Sequence, residues 1–142
     1  MEGEARDVGR VHAAIAREIA LHDSPFSKPC VLLSGGETTV TLSSSGGKGG
    51  RNGEFALSLA LAIDGLDVVA LSADTDGIDG SGDNAGAFAD GGSVKRFAAR
   101  GVNGNAALAA NDSHSAFSAV GDLFVTGPTG VNVNDFRSIL VV

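Results

Sequence analysis

"DVVALSADTDGIDGSGDNAG", residues 67–86, passes from a short β-branched apolar run into a glycine-rich stretch that carries Asp74, Asp76, Asp79 and Asp83 and no basic side chain. The first part predicts a strand. The second predicts a loop, because crowded like charges repel and glycine disfavours helix and strand interiors alike. The aspartates are therefore expected just past the carboxyl end of a strand, the edge at which open α/β sheets bind ligands.

Upstream, Val8, Val11, Ile15 and Ile19 recur at helical spacing with Arg6, Arg10 and Arg17 between them, which predicts an amphipathic helix from Glu4 to His22 stopped by Asp23-Ser24-Pro25. "CVLLSGG" and "TTVTLS" read as two strands joined at Gly35-Gly36. The loop "SSSGGKGGRNG" follows, then a helix with Phe55, Leu59 and Ile63 on one face, Asn52 as N-cap and Gly65 as stop. Downstream, Ser93 caps a predicted helix ending at Gly101, and another runs from Asp112-Ser113 to Gly121. "LFVTG" and the C-terminal "SILVV" are predicted strands. Strands alternating with helices predict a three-layer α/β domain with a mixed, mostly parallel sheet, in which Cys30 to Leu42 form an antiparallel pair.

The 142 residues suit one domain, and 43% hydrophobic content with 21 glycines describes a folded, loop-rich chain rather than a disordered one. A net charge of −7 opposes nucleic acid and anionic membrane as partners. Cys30 has no second cysteine to pair with, and the longest apolar stretch, "FALSLALAI", is too short to span a bilayer. The opening residues are charged and helical rather than signal-like, so a cytoplasmic location is expected.

"SGGKGGRNGE", residues 45–54, runs a flexible loop into a helix N-terminus, where free backbone amides and the helix dipole attract anions and Lys48 and Arg51 add charge. It is not a Walker A loop, since no glycine lies five residues before Gly47 and no Ser or Thr follows the basic residue. A plain connector with solvated basic side chains is the alternative. Asp74, Asp76, Asp79 and Asp83 offer hard oxygen ligands for Mg²⁺ or Ca²⁺, but their spacing fails the EF-hand pattern; Asx-turns and helix capping are the competing explanation. "GSGDNA", residues 80–85, formally matches a dinucleotide fingerprint, yet it lies well past the strand end and beside aspartates that would repel a pyrophosphate. His12, His22 and His114 share no metal-ligand spacing.

Five ordered blocks, "LLSGGETTVTL", "GGRNGEFALSLAL", "ALSADTDGIDG", "ANDSHSAF" and "VTGPTGVNVND", resemble the MOFRL domain that forms the C-terminal part of glycerate 2-kinases. The resemblance covers nearly the whole chain. It implies an opening helix, residues 1–24, leading from a missing N-terminal domain, followed by a MOFRL-like α/β domain over 25–142. It also implies half of a cleft in which the γ-phosphoryl of ATP passes, with Mg²⁺, to the 2-hydroxyl of D-glycerate, so the isolated chain is expected to be inactive. On this basis Arg51 is the candidate catalytic residue, and Asp74, Asp76 and Asp79 are candidate metal ligands. Glu37, Lys48, Asn52, Thr75, Asn111, Asp112, Thr129, Asn132 and Asn134 are candidate substrate or phosphate contacts. Gly53, His114, Ser115 and Val131 depart from the family pattern without disturbing the charged positions. A loop arginine outside the core is expected to contribute little to stability. The rival readings are an NAD(P)-dependent hydroxypyruvate reductase and a non-catalytic domain that binds a small anion.

Overall fold

The computed structural model describes residues 1–43 and 46–142. Ser44 and Ser45, where the glycine-rich loop begins, lie outside the described residues. Helix α1 (Ala5–His22) follows Glu4 as N-cap and is closed by Asp23 in the left-handed conformation. Its buried stripe is Ala5, Val8, His12, Ala13, Ala16 and Ile19, while Val11 and Ile15 are exposed. Small side chains form this stripe because α2 (Arg51–Ala62) approaches closely: a Cβ on Gly9 would stand 2.7 Å from the Phe55 carbonyl oxygen. Helix α2 is buried continuously from Asn52 to Ala60, as befits a helix enclosed by the rest of the fold.

The strands are β1 (Cys30–Gly36), β2 (Val68–Asp74), β3 (Gly86–Asp90), β4 (Leu123–Phe124) and β5 (Asp135–Val141), in spatial order β1-β5-β2-β3-β4. Every neighbouring pair is antiparallel, which corrects the expectation of a mostly parallel sheet. The reason lies in one insertion. β1, α2 and β2 form a crossover in which β1 and β2 run in the same direction, but the C-terminal β5 enters between them, antiparallel to both. β2 and β3 then pair directly across the aspartate loop.

"TTVTLS" does not form the expected second strand. Gly36, with φ at +119°, turns the chain off the sheet, and Thr39 makes an isolated bridge to Glu4, exchanging backbone hydrogen bonds with Gly3 and Ala5. β1 finds its antiparallel partner in β5 instead. Helices α3 (Ser93–Ala99), α4 (Gly104–Ala109) and α5 (Ser113–Val120) pack against α2 or one another on the same side of the sheet. The other face is left open, with Val31, Leu33, Val69, Phe88, Phe136 and Leu140 exposed. The domain therefore has two layers, not three. The core joins these helices to the inner sheet face through Phe55, Phe97, Phe117 and Ile139, with the Phe97 and Phe117 rings edge to face at 5.5 Å. Among the described residues no helix is long and apolar enough to cross a membrane.

Candidate active site

Strand register builds the site. Gly36 and Asp74 are each the cross-strand partner of Asp135, so one row across β1, β5 and β2 places two carboxylates directly opposite each other. Like charges in that position destabilise a sheet unless something neutralises them. Arg51, the first residue of α2, does so. Its Nε donates to Asp135 Oδ1 at 2.8 Å, its Nη2 to Asp74 Oδ2 at 2.6 Å, and its Nη1 to Glu37 Oε1 at 3.0 Å. Burial alone would lower the guanidinium's pKa, but the hydrogen bond and charge of Asp135, with Asp74 and Glu37, outweigh it and raise the pKa above its ordinary value. Asp74 moves upward because it is buried, with Arg51 opposing the shift.

Behind this row Asp135 is held from both sides. Its Oδ1 also accepts from Asn52 Nδ2 at 2.8 Å, and its Oδ2 accepts from Arg137 Nη2 at 2.7 Å. Arg137 is fully buried, with its guanidinium carbon 5.0 Å from the Phe55 ring centroid. Neither Asp135 nor Arg137 was singled out from the sequence. The available signal was the period of two: Asp135, Arg137, Ile139 and Val141 fall on one face of a strand, and all four are buried.

The helix N-terminus expected to cradle a phosphate already holds an anion. Asp79 accepts from the backbone amides of Asn52 at 2.9 Å and Gly53 at 2.8 Å. The N-cap is Gly50, not Asn52, because the Asp79 carboxylate arrives from another loop and lies where a Cβ on Gly50 would stand. Burial pushes the Asp79 pKa up to about 6, against the pull of these amides. Asp79 therefore faces α2, away from solvent. Asp74 Oδ1 accepts from the Asp76 amide and Asp76 Oδ1 from the Ile78 amide, the side-chain turns weighed as the alternative to metal binding. Among the described residues no group of three or more His, Cys, Asp or Glu side chains could hold a metal ion.

A cavity of about 670 Å³ opens over this row, and Glu37, Arg51, Asp74, Asp76, Asn132 and Asn134 are among the residues lining it. The remaining candidates stand around it. Asn52 is fully buried and accepts from Ser72 Oγ at 2.7 Å. Thr75 donates to the Asn134 carbonyl, and the Thr129 hydroxyl donates to the Thr75 carbonyl, so the two threonines tie the loop before β5 to the aspartate loop. Asn111 donates to Glu54 at 2.8 Å, Asp112 accepts from the Lys48 amide, and the Lys48 side chain is exposed outside the cavity lining. "GSGDNA" lies in the connection between β2 and β3, and no helix starts from it, so the strand–turn–helix setting of a dinucleotide fingerprint is lacking there.

Comparison with known proteins agrees with this architecture. The MOFRL family model matches residues 30–135. The chain belongs to the MOFRL family. This MOFRL chain is 51% identical to a protein of Agrobacterium vitis provisionally named a hydroxypyruvate reductase, covering 99% of this chain and 37% of that protein. It is 46% identical to a glycerate 2-kinase of Pyrococcus horikoshii, covering 99% of this chain and 32% of the kinase. The crystal structure of the Thermotoga maritima glycerate kinase superposes with a TM-score of 0.97 at 45% identity, over 100% of this chain and 34% of that one. The MOFRL chain thus spans about a third of the length of the relatives it matches.

Proposed function

We propose that this MOFRL domain is the C-terminal part of a glycerate 2-kinase and forms one wall of the cleft in which the ATP γ-phosphoryl passes to the 2-hydroxyl of D-glycerate. The observation that carries the proposal is Arg51, fixed by three carboxylates at the mouth of an acidic cavity. A guanidinium has five N–H donors, and Arg51 directs three of them at carboxylates, which leaves donors for phosphate oxygens. Of its partners only Glu37 is largely exposed, so an arriving phosphate exchanges with Glu37 and leaves Asp74 and Asp135 in place.

In the reaction the glycerate 2-hydroxyl oxygen bonds to the γ-phosphorus as the bond to the ADP oxygen breaks, and the hydroxyl proton passes to solvent water. Such a transfer asks the protein for positioning and charge stabilisation rather than covalent help. Arg51 is the residue assigned to charge stabilisation. Asn132 and Asn134 are assigned to substrate contacts. Asp74 and Asp76 fit Mg²⁺ held jointly with phosphate oxygens, since that ion takes one or two carboxylates and completes its shell from substrate and water. When bound, the ion would neutralise phosphate charge. Thr75, Thr129, Asn111, Asp112 and Lys48 would act by holding the surrounding loops, and Asn52 and Asp79 by fixing the start of α2.

The facing wall would come from an N-terminal domain, from which residues 1–24 lead into 25–142. The test is ADP release with D-glycerate, measured on the 142-residue chain and on the same chain joined to the remaining part of the Pyrococcus horikoshii kinase. Activity is expected only in the joined protein, and is expected to be lost on Arg51→Ala. A joined, folded protein that oxidises NAD(P)H with hydroxypyruvate but releases no ADP would establish the reductase reading instead.

A further inference from the structure

The strands leave one face of the sheet uncovered, and that face is apolar. Three cross-strand rows make it up: Val31, Leu140 and Val69; Leu33, Ser138, Leu71 and Phe88; and Gly35, Phe136, Ala73 and Gly86. Leu33 is 67% exposed and Phe136 43%. A sheet face that meets water in a finished protein reads polar along each strand, and this one does not. Charge stands only at its edge, where Asp90, opposite Val69, pairs with Arg96, which also holds Asp122. An apolar centre with a charged rim is the anatomy of a buried interface. Phe136 lies between Gly35 and Ala73 on the neighbouring strands, so its ring projects as a knob.

We propose that this face seats a pair of helices from the part of the longer protein that lies outside these 142 residues, completing a third layer. The proposal rests on the reading that the chain works within a longer protein, and not on which reaction that protein performs. The relatives are about three times the length of this chain, so the covering element has a source. Area argues for that occupant over a second copy. Three strands of seven residues and one of five, at about 4.8 Å spacing and about 3.4 Å per residue, present roughly 420 Å². Two copies face to face would bury roughly 850 Å², below the roughly 1,200 Å² of stable dimers. The same area falls within the roughly 600–1,500 Å² typical of contacts between domains of one chain, where the tether supplies a high effective concentration. Helices fit the width: about 19 Å takes two helices at their usual separation of about 8–10 Å, the arrangement that covers a sheet in layered α/β domains.

Thiol accessibility tests this. In a Cys30→Ala background, Leu33→Cys and Leu140→Cys are titrated with a disulfide reagent, first in the 142-residue chain and then in that chain joined to the rest of the Pyrococcus horikoshii kinase. Both thiols should react freely in the first and at least about tenfold more slowly in the second, the protection given by a docked fraction above about nine-tenths. Equal rates in a folded joined protein overturn the proposal. Protection that rises with concentration in the 142-residue chain, with a dimer mass on sedimentation, also overturns it, in favour of a second copy. ADP release assayed on the same joined protein separates the two readings: activity with reactive thiols sinks the docking alone, and protection without activity sinks the kinase reading alone. Should the joined protein not fold, a cysteine placed at the position aligned with Leu33 in the intact Pyrococcus horikoshii kinase decides the matter by the same criterion, a protected thiol supporting the docking and a freely reactive one overturning it.

Discussion

Arg51→Ala removes the one group among the described residues that bridges Asp74 and Asp135 in their cross-strand pair, both of them with buried side chains. Breaking a buried ion pair costs about 3–5 kcal/mol when one charge is left uncompensated. Here the lower end applies. Asp135 keeps Asn52 and Arg137, Asp74 keeps the Asp76 amide, and the exposed contact to Glu37 contributes almost nothing. A loss of about 3 kcal/mol, at about 2–4 °C per kcal/mol in a domain of this size, lowers Tm by roughly 6–12 °C. This replaces the expectation that a loop arginine leaves stability unchanged, because Arg51 opens a buried helix. The deficit should shrink on acidification, since burial already raises the Asp74 pKa and the variant relieves repulsion by protonating that carboxylate. Thermal unfolding by circular dichroism from pH 4 to pH 8 reads both effects. In the joined protein, assayed well below the lowered Tm, ADP release should fall about 100-fold to 1,000-fold, the loss typical of one charge-stabilising donor. A Tm within about 2 °C of the parent at pH 8 would refute the neutralising role of Arg51.

The Asp79 pKa, raised from 3.8 to about 6, means that the folded state holds this proton more tightly than the unfolded one. Its stabilising contribution is complete below about pH 3, falls as pH rises towards 6 and is flat above about pH 7. Relative to Asp79→Asn, the parent should lose about 2–3 kcal/mol of urea-unfolding free energy between pH 4 and pH 7, and a pH-independent difference would contradict the assignment. Arg137→Met should cost about 3–5 kcal/mol by stripping Asp135 of a buried partner, and Asp135→Asn in the same chain should restore part of it. Glu54→Ala should cost about 2–3 kcal/mol, because Glu54 accepts from both Arg6 on α1 and Asn111 before α5; urea midpoints measure each of these variants.

Much of the fold was legible where local physics decides it. The extent of α1, the stop of α2 near Gly65 and the cap pair of α5, Asp112 and Gly121, follow from spacing and capping residues. Two elements escaped. β3 is a five-residue "GAFAD" beside a glycine-rich loop, and α4 is a six-residue "GNAALA" with one buried leucine, so neither carries enough pattern to rise above its surroundings. The direction of the sheet escaped for a different reason. Alternating strands and helices specify that a crossover exists, but with "TTVTLS" read as a strand the crossover would start there, whereas it starts from β1. They do not specify which strand begins the crossover, nor whether a distant C-terminal strand enters the sheet. That choice is made by burial: β5 supplies Ile139 and Val141 to the core between β1 and β2, both fully buried.

Several of the candidate residues, Glu37, Arg51, Asp74 and Asp76 among them, line one cavity, but their wiring was not legible in the sequence. Composition marks Arg51 and the aspartates as charged groups in glycine-rich loops, and the natural inference is that such groups face solvent and ligand. The register of a strand about 60 residues further along the chain changes that. By placing Asp135 opposite Asp74, it creates a repulsion that Arg51 must answer. Asp79, from the same loop as Asp74, is drawn instead to the bare amides of α2, where a carboxylate is stabilised by the helix terminus even as burial raises its pKa. The four aspartates of one short segment thus divide by what lies across from them. Asp74 is locked to Arg51, Asp76 turns the loop at the cavity wall, and Asp79 caps a helix. Asp83 stays at the surface, 3.7 Å from His114. Sequence spacing alone cannot make that division, because each partner arrives from a different element, and the folded row across β1, β5 and β2 decides which carboxylates line the cavity.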